Sequence, residues 1–388
     1  MKDENAKAGV DYFLMKGFKE AMQKVAQRTA HLCARHGSGN ILQVLPTVNG
    51  HGGVFSHYNN RQTVWVTTME GVGTRAWIAM LLNFLGLPDP TCQYHFGGLG
   101  IDMFLAGAND NASHGGDPVF VTDEVSCGNS EFFASPQAMA LAASFEKALF
   151  TARCSLIQGE SPTYPSLMPK SRPPVKYAPS MSVNVQGIAE HFVSGERVRP
   201  RDSIIGFRSS GLHANGISPI THRLTSPPFS PHGDAFLRKL NGWTVGQEAL
   251  IPTRSYIGLV HALLNAGIDV HAFLPMTGDG VGKFASDGRY HYNIEKWPPE
   301  EMWPPLFLFM LEVGMPKEGV ATSFNCGIGY VWIGPPSQED AVMEVASKTK
   351  IDGEGGFYEP FRLGDVEEGK AGTYFKPWDL HLPPPGTE

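Results

Sequence analysis

The sequence predicts a mixed α/β protein, of the α/β or α+β class, built as two domains. Three observations lead there. A chain of 388 residues exceeds one small core. Strand-like and helix-like periods alternate in both halves. A run with prolines at 162, 165, 169, 173, 174 and 179 separates the halves and has neither period. The expected division is an N-terminal sheet domain over 1–172 and a C-terminal sheet-and-helix domain over 173–388, with a proline-rich tail from about residue 370.

In the first half, Leu14, Phe18, Met22, Val25 and Ala26 recur at helical spacing, so Tyr12 to His36 is expected as a helix closed by Gly37. Gly50-His51-Gly52-Gly53 reads as a flexible turn. Thr63 to Thr68 is β-rich and runs into a glycine turn, Glu70-Gly71-Val72-Gly73-Thr74, before an apolar helix from Ala76 to Leu85 that Gly86 and Pro88 stop. Gly100 to Ser113 is expected to be helical, with Ile101, Leu105, Ala108 and Ala112 as one stripe. Asp102 and Asn109 lie two turns apart on another face, and Asp110 sits near the helix end. Pro118 to Glu124 is a strand. Ser135-Pro136 is an N-cap and first-turn pair for a helix running to Arg153. Ser155 to Gln158 reads as a short buried strand that delivers Gly159-Glu160.

In the second half, Met181, Val183 and Val185 alternate as in a strand and are expected to open the C-terminal domain near Ala178. Ile204 to Phe207 is another strand, Ser209 to Gly216 a turn, Thr253 to Leu264 a helix, and Val270 to Leu274 a strand followed by Thr277-Gly278-Asp279-Gly280. Thr322 to Ile333 is strand-like and Gln338 to Lys348 helical. The tail is expected to drape over the surface or stay disordered.

The formal charge of −7 is mild and spread out, which argues against nucleic-acid or polybasic membrane partners. Five scattered cysteines without a Cys-x-x-Cys pair fit a reducing compartment and offer no zinc motif. The N-terminus lacks the apolar core of a signal peptide, and no apolar run reaches the roughly 20 residues needed to span a bilayer. The expectation is a soluble, cytoplasmic protein whose partners are small molecules or a second copy of itself.

Standard motifs are absent. Gly278-Asp279-Gly280-Val281-Gly282-Lys283 has the wrong spacing for a Walker A loop and ends in Phe284 where a hydroxyl is needed. The strongest local signal is Glu70 to Thr74. Gly71 and Gly73 permit close approach to an anion, and helix-start amides with Thr74 and Arg75 favour phosphate. Glu70 would repel phosphate unless a cation such as magnesium lay between them. A plain strand–helix turn with an exposed glutamate fits this segment equally well. Asp110 and Glu160 could join Glu70 as magnesium-capable carboxylates, or each could be a solvated turn acid or helix cap. His213 and Asn215, in Ser209-Ser210-Gly211-Leu212-His213-Ala214-Asn215-Gly216, could supply acid–base or substrate-orienting groups; a tight turn with a packed histidine is as good a reading.

Taken in order, these segments resemble the aminoimidazole ribonucleotide synthetase (phosphoribosylformylglycinamidine cyclo-ligase) family. The similarity runs through Ala8-Gly9-Val10-Asp11, Gly52-Gly53-Val54-Phe55, Glu70 to Arg75, Gly100-Ile101-Asp102, Asn109-Asp110, Gly159-Glu160, Ser209 to Gly216, Pro252-Thr253-Arg254-Ser255-Tyr256, Thr277-Gly278 and Ser323 to Gly329. The resemblance implies two α/β domains, the first binding ATP and forming the core of a homodimer. It also implies an ATP- and magnesium-dependent closure of formylglycinamidine ribonucleotide through a phosphorylated amide. By the same resemblance, Gly52, Gly53, Gly71, Gly73, Thr74, Arg75, Asn109 and Gly159 would bind ATP phosphates. Glu70, Asp110 and Glu160 would hold metal, and His213, Asn215 and Glu160 would serve catalysis.

The chain departs from the family's usual Asp-Gly-Val-Gly-Thr-Lys with Glu70 and Arg75. It departs again at Gln158 to Met168, where Gly159, Glu160 and Pro165 are kept but a second acid, two glycines and a tyrosine are not, and at Asp279, where the family has glycine. Two other functions stand beside the main one. One is ATP-dependent phosphorylation of another small acceptor, as by selenophosphate synthetase or thiamine-monophosphate kinase. The other is a catalytically silent nucleotide-binding relative.

Overall fold

The computed structural model describes residues 42–45, 53–57, 60–87, 95–168, 171 and 173–387. The helix expected over Tyr12 to His36, and Gly52, lie outside the described residues.

Six strands form the first sheet: β1 (Leu42–Leu45), β2 (Gly53–His57), β3 (Asn60–Val72), β4 (Gly116–Ser126), β5 (Ser155–Glu160) and β6 (Ser180–Ala189). Their order is β1-β2-β3-β6-β4-β5, antiparallel throughout except for the β4–β5 pair. Three helices belong with it: α1 (Thr74–Phe84), α2 (Leu99–Ser113) and α3 (Pro136–Ala152). The predicted cap of α3 is present, since Ser135 accepts a hydrogen bond from the Ala138 amide and Pro136 occupies the first turn.

Alternation along β6 buries Met181, Val183, Val185, Gly187 and Ala189 on one face. That face receives α2. Gly107 lets the helix settle closely, for a Cβ there would meet Val185 Cγ2 at 2.9 Å and Val183 Cγ1 at 3.3 Å. Thr68 fixes the contact by donating to the Gly107 carbonyl at 2.8 Å.

Two expectations need correction here. The strand expected to open the C-terminal domain is β6, which lies in the middle of the first sheet between β3 and β4, so the chain leaves that sheet only after Ala189 and not at residue 173. The segment Ser155 to Gln158 is indeed a strand but not a buried one. It is the edge strand of the sheet, exposed at every residue through Glu160. Its short apolar run looked like a core strand because composition does not reveal which side is covered.

In the second half, β7 (Ser203–Arg208) is followed by the helix α4 (Ile217–Leu224) and by a short hairpin, β8 (Lys239–Leu240) with β9 (Trp243–Thr244). The remaining strands are β10 (Ala272–Pro275), β11 (His291–Ile294), β12 (Ile328–Gly334), β13 (Pro360–Glu367), β14 (Gly372–Phe375) and β15 (Leu380–Leu382). With β7 they form a seven-stranded sheet in the order β10-β12-β7-β13-β11-β14-β15. Every residue of β12 is buried, as its unbroken apolar run requires.

The expected strand over Thr322 to Ile333 divides into the end of a helix, Lys317–Ser323, and β12. The helix expected from Thr253 starts only at Ile257, because residues 253–256 are bound to α2 instead. The tail is ordered: β14 and β15 extend the second sheet, and Trp378 packs on Trp303 at 5.2 Å between ring centroids. One continuous apolar core joins both halves, with α2 against the first sheet on one side and β10 on the other.

Candidate functional site

Two clusters of polar groups form around α2, and together they take in some of the predicted site residues. The first lies where the end of β3 meets the last turn of α2. Glu70 is still in the ladder, opposite Val183, so its side chain points to the same face as Val183, toward the helix. Asp110, one turn after Gly107, points back at it.

The two carboxyls hydrogen-bond to each other, which requires a proton between them. Burial, and then the Glu70 charge, push the Asp110 carboxyl well above the usual carboxylate range, while the Lys283 ammonium pulls in the opposite direction. Asp110 is 2% exposed and Lys283 4%. Lys283 also donates to Thr277 Oγ1.

The chain then passes through Gly73, the N-cap residue of α1. Neither Gly71 nor Gly73 has a positive φ, so there is no glycine turn of the kind expected. Their use is space: a Cβ built on either finds its nearest heavy atom 3.9 Å away. Thr74 Oγ1 lies 3.3 Å from Ser218 Oγ of α4, so this helix start also borders the second half. Gly53 opens β2 opposite Thr67, three residues short of Glu70.

The second cluster is a clamp between the halves. Arg75, expected to reach phosphate, is 1% exposed and turned inward. Its Nη1 donates to Asp102 Oδ1 at 2.9 Å and to the His213 carbonyl at 2.6 Å, and its Nη2 donates to the Ile251 carbonyl at 2.8 Å. Asp102 Oδ1 also accepts from the Thr253 amide at 2.8 Å and hydroxyl at 2.6 Å. Asn109, likewise expected at phosphate, donates to the Arg254 carbonyl at 2.8 Å and accepts from the Tyr256 amide at 2.9 Å. The face shared by Asp102 and Asn109 thus holds the segment before the Ile257 helix, and these residues do not converge on the Glu70–Asp110 pair.

His213 belongs to the clamp as well. It is fully buried with φ of 62°, and burial followed by the Arg254 and Arg75 charges pushes its pKa down to about 3. A ring held neutral in this way does not take up a second proton near neutral pH, which argues against the expected acid–base role. Its Nε2 accepts from the Ser210 amide at 3.4 Å. Asn215 is half-buried at the turn before α4, where Gly216 has φ of 82° and a Cβ would strike Phe324 at 2.6 Å. The tight-turn reading of this segment is the one its geometry fits.

Glu160 is the largest departure from expectation. Across the sheet, Glu70 aligns with Val183, Asp123 and Gly159, whereas Glu160 aligns with Glu124, Ser182 and Gly71. Aligned residues share a face, so Glu160 projects from the side opposite Glu70. It is exposed, and its Oε1 accepts from the Ser161 amide at 3.0 Å. Among the described residues no group of three or more acids, histidines or cysteines is placed to hold a metal ion. The expected three-carboxylate set is therefore a pair.

At Gly159 a Cβ would meet Asp123 Oδ1 at 2.4 Å, so the missing side chain makes room for that half-buried carboxylate. Lys283 and Thr277 were missed in the sequence. The available signal was a lysine in a glycine-rich turn just after a buried strand, passed over because its spacing is not that of a Walker A loop.

This arrangement of two sheets about a shared helix defines a class. Thiamine monophosphate kinase from Aquifex aeolicus superimposes with a TM-score of 0.52 at 13% identity, over 92% of this chain and 95% of that one. The protein tt0281 from Thermus thermophilus gives 0.55 at 15% identity over 92% and 97%. The hydrogenase maturation protein HypE of E. coli gives 0.52 at 14% over 84% and 86%. The chain has the fold of these proteins.

No protein-family model matches the sequence. Individual relatives are more specific. Phosphoribosylformylglycinamidine cyclo-ligase of Lachnospira eligens is 28% identical over 342 residues, covering 85% of this chain and 90% of that protein. The cyclo-ligase of Thermosynechococcus vestitus is 27% identical over 354 residues (89% and 93%), and that of Symbiobacterium thermophilum 29% over 347 (84% and 87%). The chain is a divergent relative of the phosphoribosylformylglycinamidine cyclo-ligases, as its motifs indicated.

Proposed function

We propose that the chain is an ATP- and magnesium-dependent ligase that closes formylglycinamidine ribonucleotide to aminoimidazole ribonucleotide, releasing ADP and phosphate. The observation that carries this reading is the similarity to cyclo-ligases along nearly the whole chain, together with the Glu70–Asp110 pair at the end of β3. An amide oxygen is a poor leaving group. Transfer of the terminal phosphoryl group of ATP to that oxygen makes it a good one, and the amidine nitrogen then displaces phosphate as the ring closes.

The donor set suits magnesium, because two carboxyls in contact keep a shared proton only until a hard divalent cation takes its place. Glu70 and Asp110 would hold the ion, whose chemistry is to neutralise charge on the transferring phosphoryl group. The open space at Gly71 and Gly73, with the amides and hydroxyl at the start of α1, suits the phosphates. The Arg75–Asp102 and Asn109 clamp ties the two halves together beside this point.

A homodimer is part of the proposal. The face of the first sheet away from α2 carries exposed Met69, and the edge strand of that sheet carries exposed Ile157. A second copy seated there would cover them and bring Glu160 into an interface. No helix among the described residues is long and apolar enough to cross a membrane, and a cytoplasmic location goes with the proposed reaction. The altered stretch from Gln158 to Met168 favours one second reading, in which the phosphoryl group goes to a different small acceptor.

Purified protein with ATP, magnesium and formylglycinamidine ribonucleotide should yield ADP and the ring-closed amine in equal amounts. ADP formed only with another acceptor would replace the substrate assignment, and nucleotide binding without turnover under any condition would leave the silent relative.

A further inference from the structure

A cavity of about 320 Å³ lies in the seam between the two halves. Ile101 and Leu105 of α2 and Ala148 of α3 line it from the first half, and Ile251 and Ile257 from the second. At about 100° per residue, Ile101 and Leu105 stand roughly opposite Asp110 around α2. Neither Glu70 nor Asp110 lines the cavity, so it is separate from the acid pair.

The charges sit at its mouth. Lys147 stands on the α3 side, one helical turn before Thr151. Residues 352–354 form the other lip and come against the same helix, for a Cβ on Gly353 would lie 3.7 Å from Thr151 Cγ2. Asp352 is exposed there, its Oδ2 accepting from the Gly258 amide at 3.2 Å. Among the described residues neither Lys147 nor Asp352 has an ion pair, whereas Glu354, the third charge at the mouth, is bound to Arg254 at 2.7 Å.

Size and charge together limit the occupant. Ligand sites run from roughly 300 to 1,000 Å³, and an apolar cavity of about 150 Å³ already holds benzene. There is room for one aromatic or branched aliphatic group with a small head, and none for a helix of another protein. A nucleotide phosphate would find a single lysine facing two carboxylates. One cation opposite one unpaired anion suits a head group that carries both signs.

We propose that this cavity binds a free α-amino acid with a large apolar side chain. The side chain fills the apolar floor, the carboxylate turns to Lys147 and the ammonium to Asp352. The bound molecule touches both halves, and the wall it meets in the second half is the clamped segment: the Ile251 carbonyl accepts from Arg75, and Asn109 holds Arg254 and Tyr256. Occupation braces that joint, which makes the cavity an effector site and not a substrate site. The inference goes beyond the proposed reaction and stands whether or not the chain is a cyclo-ligase.

The test uses the full chain and three probes that differ only in the head group: L-phenylalanine, 3-phenylpropionate, which lacks the ammonium, and 2-phenylethylamine, which lacks the carboxylate. Isothermal titration calorimetry should show one site for phenylalanine, and each analogue should bind about fivefold more weakly, the effect of losing one exposed ion pair. Lys147→Met should weaken phenylalanine about fivefold and leave phenylethylamine unchanged, and Asp352→Asn should weaken phenylalanine about fivefold and leave phenylpropionate unchanged. Both side chains are exposed, and asparagine keeps an acceptor for the Gly258 amide, so both variants should unfold at the parent temperature. Absence of saturable phenylalanine binding at millimolar concentration overturns the proposal. So does binding that both variants leave unchanged, since it would lie elsewhere, and so does phenylpropionate binding as tightly as phenylalanine, which would make the ligand a simple apolar acid.

Discussion

Replacing His213 by glutamine should remove a specific part of the protein's acid sensitivity. Burial and two nearby arginines lower the His213 pKa from 6.5 to about 3. A group depressed in the folded state contributes stability that is fully present above its unfolded pKa and is lost as pH falls toward the folded one. At pH 5 the unfolded chain has bound the proton and the native one has not. The gap of about 1.5 pH units is worth about 2 kcal/mol at about 1.36 kcal/mol per unit.

Glutamine does not titrate, and its carbonyl can still accept from the Ser210 amide that His213 Nε2 serves. Urea unfolding followed by tryptophan fluorescence at pH 7.5 and pH 5 gives the comparison. The parent protein should lose about 2 kcal/mol more than His213→Gln on going to the lower pH. Losses agreeing to within about 0.5 kcal/mol would refute the reasoning and return His213 to the groups that titrate near neutrality.

Arg75→Met should destabilise the protein by about 3–5 kcal/mol in the same unfolding assay, since it leaves the Asp102 carboxylate buried without its cation. Glu160→Gln should leave manganese affinity within about twofold of the parent value by titration, because its carboxylate projects from the sheet face opposite Glu70. Gly107→Ala should cost about 1–3 kcal/mol through its clash with Val185. It should also weaken manganese binding, since α2 cannot lift from the sheet without carrying Asp110 with it.

How much of this was legible in the sequence depended on whether the cause was local. Ser135-Pro136 announced α3 because capping is settled within four residues. The common face of Asp102 and Asn109 followed from helical spacing alone. What that face touches did not follow, since Thr253 and Tyr256 lie far along the chain. Arg75 was misread for the same reason. Its position beside a glycine-rich helix start suggested phosphate, but its partners Asp102, the His213 carbonyl and the Ile251 carbonyl come from three remote segments. Glu160 turned on the register of a strand. The β4–β5 pairing shifts between Val121 and Thr122, and a shift of one residue exchanges the two faces of a strand. No motif spells that out. Glu70 and Asp110 were legible because the resemblance supplied the pairing that local rules could not.

The insertion of β6 between β3 and β4 has a consequence for how the protein is made. A ribosome that has released only the first 172 residues exposes β3 and β4 as two open edges, each lacking the neighbour it is paired with in the finished sheet. The missing strand is Ser180–Ala189. Until it emerges, those edges are templates for pairing with other nascent chains. A fragment cut at residue 172 would carry the same defect permanently, so the unit that can be expressed by itself, if the chain is to be divided, extends at least through Ala189.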